Sequence, residues 1–299
     1  MAINPETTPP CTNINEPNPW DQLQSVAYNP IPELPTSSPN RTCNFYLREI
    51  NRLGRMNDVR TFLGSTIDLS PRTFSSDNPA ELNQFCQDYS NRLKDTIDLT
   101  NQSALKDYSG FNYKTINQVS RGQWNYDLLG AQTPEKLGAQ TPEKLASAQN
   151  SINQIRQAIA TAPPIETDLI THRGTNLDSF QGYNINSLSE LKQLQGQFFL
   201  ETGFTSTSLC SDDSFANHDF DDPLRPPCNI SIEYFIPKEN HEVIGLLSHA
   251  TSYNPEQHEI LIDQDSLSYI SNVEISPDKS SAKLQMTLIP REIYDPAIR

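Results

Sequence analysis

Pro163-Pro164 divides this chain of 299 residues into two kinds of periodicity. Before it, apolar residues recur at helical steps. Phe45, Leu47, Ile50, Leu53 and Met56 do so between Cys43 and about Leu63. After breaks at Ser70-Pro71 and Asp77-Asn78-Pro79, Leu82, Phe85, Tyr89 and Leu93 share one face of a helix over 80–93, with Asp77 or Asn78 as its N-cap and Pro79 in its first turn. A third helix follows Ser109-Gly110, and a fourth runs from Ala146 to Ala160. Beyond the two prolines the apolar residues fall in short runs bounded by turn formers. Strands are predicted at 168–173, 203–209, 230–236, 242–247, 259–262, 269–275 and 282–288, with one short helix at 187–194. Helices first and short strands after are the signature of an α+β fold.

Composition sets the limits of that fold. Residues 1–42 form a Pro- and Asn-rich leader, and the first forty hold nine of the 23 Pro. A segment so poor in apolar residues cannot bury enough surface to offset its ordering entropy, so disorder is expected there. Residues 43–79 are predicted as a helical extension and 80–299 as the compact domain, a core of roughly 200 residues, which is an ordinary size for one domain. Residues 130–145 repeat Gly-Ala-Gln-Thr-Pro-Glu-Lys-Leu in tandem, too short a repeat for a solenoid and most simply a duplicated loop before a helix. Ser211 to Pro227, rich in Asp and Pro, must be a long surface loop.

A net charge of −15 and a pI near 4.7 argue against a nucleic-acid surface, since phosphate contacts need Lys and Arg. The five Cys are odd in number and show no C-x-x-C spacing, so free thiols are expected. No Sec-type signal opens the chain, and no apolar run approaches a membrane span.

Two features stand out chemically. In Ser252-Tyr-Asn-Pro-Glu-Gln-His-Glu-Ile-Leu-Ile-Asp263, a turn at Asn254-Pro255 leads into a buried strand. Gln257 and Glu259 are two residues apart, so on an extended backbone an amide and a carboxylate leave the same face. Such a pair suits holding one hydroxyl and orienting a second reactant beside it. The second feature is the helical face of Tyr113, Ile116 and Asn117, with Arg121 one turn on: an Asn and an Arg on an apolar stripe need partners if buried.

In chain order, Arg173-Gly174 at a strand end, Ser206-Thr207-Ser208 after Gly203-Phe204, and Gln257-His258-Glu259 resemble the Arg–Ser–Glu class of mono-ADP-ribosyltransferase toxins. The Gln-X-Glu ending is similar to that of the C3-like exoenzymes. The resemblance runs from about Ala80 to Leu288 and includes Tyr108-Ser-Gly-Phe-Asn-Tyr113 and Phe235-Ile-Pro-Lys238. It implies an NAD-binding core of two packed, mostly antiparallel sheets with helices in the N-terminal half, and transfer of ADP-ribose from NAD to a protein without a metal. By resemblance, Arg173 and Arg121 hold phosphates, with Gly174, Asn117, Tyr113 and Gly203 lining the NAD site. Glu259 accepts from the ribose 2′-hydroxyl, Ser206 orients Glu259, Gln257 positions a non-arginine acceptor, and Tyr253 recognises the target. Phe215 and Arg225 fall where the family's nicotinamide and phosphate loop lies.

The family's basic charge and secretion signal are absent. Its usual targets are therefore not carried over, and the location expected is secreted, or delivered by a non-Sec route, with a cytoplasmic protein as the alternative. A monomer is expected. An NAD glycohydrolase on the same fold, or a docking module with a dead pocket, also fits the sequence. A serine hydrolase lacks its Gly-X-Ser-X-Gly elbow, and the histidines lack metal-ligand spacing.

Overall fold

The computed structural model describes residues 54–66, 69–121, 142–212 and 228–294. The leader, most of the tandem repeat, and Phe215 and Arg225 lie outside them. Six helices, α1 (Met56–Thr66), α2 (Pro79–Lys94), α3 (Leu99–Asp107), α4 (Tyr113–Ser120), α5 (Pro142–Thr161) and α6 (Arg291–Tyr294), accompany eight strands among the described residues. The strands are β1 (Leu169–Thr175), β2 (Phe198–Glu201), β3 (Thr205–Ser208), β4 (Ile230–Ile236), β5 (Val243–Leu246), β6 (Glu259–Ile262), β7 (Ser266–Ile275) and β8 (Ala282–Leu288). The α+β class is the one the sequence predicts.

Local chemistry sets each element. Pro79 opens α2, and Leu82, Cys86, Tyr89 and Leu93 form its buried stripe. Asn78 precedes it without capping through its side chain, which instead donates to Glu81 Oε2 at 2.9 Å. Asp98 caps α3 by accepting from the Asn101 amide at 2.7 Å. The helix predicted after Gly110 starts earlier: α3 leads through a wide π turn, Tyr108–Asn112, kinked at Gly110, into α4. Ala148, Ile152, Ile155, Ala158 and Ile159 give α5 one apolar face.

The strands run in the order β2-β7-β8-β4-β1-β3-β6-β5. The two expected sheets are two blocks of this one ladder. Five strands lie on one side and three on the other, joined at β1 and β3 through the single pair His172↔Ser208. All pairings are antiparallel except β4 with β8. β4 alternates, burying Ile230, Ile232, Tyr234 and Ile236, whereas all four residues of β6 are buried. The main core takes in α2, α3, α5 and the sheet. A second cluster packs Met56, Val59 and Leu63 of α1 on Phe198, Leu200, Leu267, Ile289 and Tyr294. Each such Leu or Ile contributes about 1.5–3 kcal/mol by leaving water. Among the described residues no helix is long and apolar enough to cross a membrane.

Candidate active site

The site lies where the ladder is narrowest. β1, β3 and β6 run side by side there and bring Arg173, Ser206 and Glu259 together. β1 runs two residues past Arg173, which is therefore inside the strand, not at its end. Its Nη1 donates to the Ser206 carbonyl at 3.3 Å, while its buried Nε has no hydrogen-bond partner among the described residues. Glu259 opens β6 opposite Ser208 and is 8% exposed. Burial pushes its carboxyl up from 4.5 to about 7, against a hydrogen bond from Ser206 and the charge of Arg173, which both pull it down.

Ser206 has a second neighbour. The phenol of Tyr108, fully buried at the end of α3, lies 3.4 Å from Ser206 Oγ and accepts from Asn117 Nδ2 at 3.1 Å. Burial, reinforced by the charge of Glu259, drives this phenol up to about 12, so it stays protonated. A polar chain thus runs Asn117, Tyr108, Ser206, Glu259. Tyr108 stands within a motif of the resemblance but has no role legible in sequence, because its partner Ser206 is 98 residues away. The Tyr108 ring also meets Phe204 edge-on, with centroids 5.7 Å apart.

Gly203 explains the Asn and Arg on the α4 stripe. A Cβ there would stand 2.9 Å from Arg121 Nε and 3.0 Å from Asn117 Oδ1. Any larger residue would push one or both of these side chains aside. Asn117 Oδ1 is buried without a hydrogen-bond partner among the described residues. Gly174 follows Arg173 on β1 and pairs with Ser231. Tyr113, which opens α4, is 38% exposed.

Gln257 departs from the sequence expectation. Asn254-Pro255 starts a short 3-10 turn, Pro255–Gln257, closed by His258 in the left-handed region at φ 48°. The strand begins only at Glu259, so the pair does not share the face of an extended strand. Gln257 is half-buried at the end of the turn, and its carbonyl accepts from Ser208 Oγ at 2.9 Å. The His258 carbonyl accepts from the Leu209 amide at 3.0 Å, which fastens the turn to β3. Tyr253 stands outside it, 54% exposed.

A buried carboxylate held beside a guanidinium with an open Nε can stabilise a developing cation while gripping an anion. Among the described residues no group of three or more His, Cys, Asp or Glu is placed to hold a metal ion.

Family and fold indicate an ADP-ribosyltransferase. The sequence matches the ADP-ribosyltransferase exoenzyme family over residues 82–290, more than two-thirds of its length, and the chain belongs to that family. Among solved structures it is similar to a C3 enzyme from S. aureus, crystallised with NAD, at 16% identity and a TM-score of 0.53 over 74% of this chain and 100% of that one. It is likewise similar to the C3 exoenzyme of Clostridium limosum, at 17% identity and a TM-score of 0.50 over 74% and 98%. An ADP-ribosyltransferase toxin from Paenibacillus larvae gives 21% identity and a TM-score of 0.50 over 73% and 98%. At these identities the likeness is one of fold. No curated protein matches the sequence.

Proposed function

We propose that the chain transfers ADP-ribose from NAD to a protein side chain other than arginine, as a toxin-like effector. Residues 80–299 are proposed as its catalytic unit. NAD supplies an ADP-ribosyl group whose bond to nicotinamide breaks as positive charge develops on the ribose. The observation that carries the reading is the buried Glu259 beside Arg173, whose Nε lacks a partner among the described residues. A buried donor left unmatched costs about 1–3 kcal/mol, which a pyrophosphate oxygen would recover.

In this reading Arg173 grips the pyrophosphate with its planar fork, and Arg121 takes the second phosphate. Asn117, Gly203, Gly174 and Tyr113 line the donor site. Glu259, once ionised, accepts from the ribose 2′-hydroxyl, a bond that strengthens as the ring becomes cationic. Ser206 keeps the carboxylate oriented, and Tyr108 keeps Ser206 oriented. Gln257 positions the acceptor. Its neutral amide cannot pair with a guanidinium as a carboxylate would, which favours an acceptor other than arginine. Tyr253 meets the target protein. Secretion, or delivery into another cell, belongs to the same proposal.

The test is incubation of wild type and Glu259→Ala with labelled NAD and a cell lysate, counting released nicotinamide and labelled protein separately. A discrete labelled band lost in the variant is expected. Nicotinamide release without protein label would make water the acceptor and the chain a glycohydrolase. Full activity in Glu259→Ala would overturn the site.

A further inference from the structure

The segment that carries Tyr253 is tied at both ends to the last turn of α3 and the π turn that follows. Lys106 Nζ donates to the His249 carbonyl at 2.9 Å, at the start of the segment. The same ammonium lies 5.0 Å from the centroid of the Tyr253 ring, within cation–π range, at the other end. Ser109 Oγ donates to the Lys106 carbonyl at 2.9 Å and accepts from the Tyr253 amide at 2.9 Å. Gly110 completes the seat, since a Cβ there would stand 2.8 Å from Tyr253 Cδ2. Between these ties the segment folds on itself, the Ser248 carbonyl accepting from the amides of Thr251 and Ser252 at 3.0 and 2.9 Å.

These contacts fix an exposed aromatic ring before any partner arrives. Left untethered, an exposed tyrosine on a loop would sample several rotamers, and ordering it on binding would weaken the encounter by the entropy lost. We propose that Lys106 is a positioning residue for acceptor recognition: it holds the 249–253 segment so that the Tyr253 ring is already set for the target protein. This rests on the reading of Tyr253 and Gln257 as the acceptor side of the site. The ammonium of Lys106 is spent on His249 and Tyr253, away from Arg173, Ser206 and Glu259, so its effect falls on transfer and not on the use of NAD. The same geometry makes the acceptor face composite, half from the loop before β6 and half from the helix that also places Tyr108.

Lys106→Met keeps the length and helix propensity of the side chain and removes its charge and its donor. Losing one cation–π contact and one hydrogen bond lowers protein labelling about tenfold in a lysate given labelled NAD. Nicotinamide release into water and the KM for NAD stay within about twofold of wild type, because a contact made only with the acceptor leaves the steps with NAD untouched. Lys106→Arg, which restores a cation over the ring, recovers labelling. Gly110→Ala, whose Cβ would stand 2.8 Å from Tyr253 Cδ2, also lowers labelling. Deuterium exchange of the peptide spanning 249–254 is faster in Lys106→Met, with the rest of the chain unchanged.

Equal loss of hydrolysis and labelling, or unchanged labelling in both variants, overturns the proposal. If wild type labels no protein at all, the transferase reading fails separately. The exchange comparison then decides alone, and unchanged exchange over 249–254 refutes the tether.

Discussion

β6 has a buried acid at each end, and the two are partnered differently. At the far end, Glu242 and Asp263 share Arg291, whose guanidinium is used up by the protein. Its Nε bonds Glu242 Oε1 at 3.2 Å, its Nη1 bonds Asp263 Oδ2 at 2.9 Å, and its Nη2 bonds the Gln264 carbonyl at 2.7 Å. Ser266 and Tyr294 add their hydroxyls to Glu242 Oε1, both at 3.0 Å. At the near end, Arg173 donates to a carbonyl, and its Nε has no partner among the described residues. Burial raises both Glu242 and Glu259 to about 7. A shifted carboxyl therefore does not distinguish the two ends. The guanidinium does: Arg291 is bonded by the protein through all three nitrogens, although Glu242 Oε2 and Gln264 Oε1 beside it lack partners among the described residues, whereas Arg173 keeps an unmatched Nε.

The largest effect is expected at the closed end. Arg291→Met leaves buried Glu242 without its ion-pair partner and Asp263 with only Arg156, whose Nε lies 3.8 Å away, and a loss of about 3–5 kcal/mol in urea unfolding is expected. The KM for NAD in the folded fraction should not change. A variant as stable as wild type would mean the cluster is not what holds α6 in place.

At the open end, neutralising the acid should stabilise the protein. The folded state holds the Glu259 proton more tightly than an ordinary carboxyl at 4.5, so stability falls as pH rises from there to about 7. Glu259→Gln should therefore raise stability by up to about 3 kcal/mol at pH 8 and hardly at all at pH 4.5. Thermal unfolding at the two pH values checks this. Equal effects at both would show that the carboxylate is not penalised by burial.

Arg173→Met is the smallest change in the series. It should raise the KM for NAD about 10–100-fold, the scale of a charge-assisted bidentate contact, with little change in unfolding. A large loss of stability with unchanged KM would make Arg173 a second Arg291.

Much of this was legible in the sequence, for a physical reason. Strands such as β4, with one face buried, alternate visibly, and the apolar stripes of α2 and α5 recur at helical steps. β2 escapes such a reading, because all four of its residues are buried and nothing alternates. The 3-10 turn Leu177–Tyr183 escapes it as well. Arg173, Ser206 and Glu259 can be named from the family resemblance of the three short motifs that carry them. Their partners cannot, since Tyr108 and Arg291 act across long stretches of sequence that only the fold closes. The misplacement of Gln257 comes from His258, whose left-handed backbone is uncommon for a residue with a side chain.

The role of Glu259 is tested most directly by the pH dependence of nicotinamide release with NAD well below its KM, where the rate reports the free enzyme, in wild type and Ser206→Ala. If ionised Glu259 does the work, the wild-type rate climbs about tenfold per pH unit and levels near pH 7. Ser206→Ala, which removes a bond favouring the ionised form, should move that bend to higher pH. A rate that is flat from pH 5 to 8, or a bend that ignores the loss of Ser206, would contradict the assignment of Glu259 as the catalytic carboxylate.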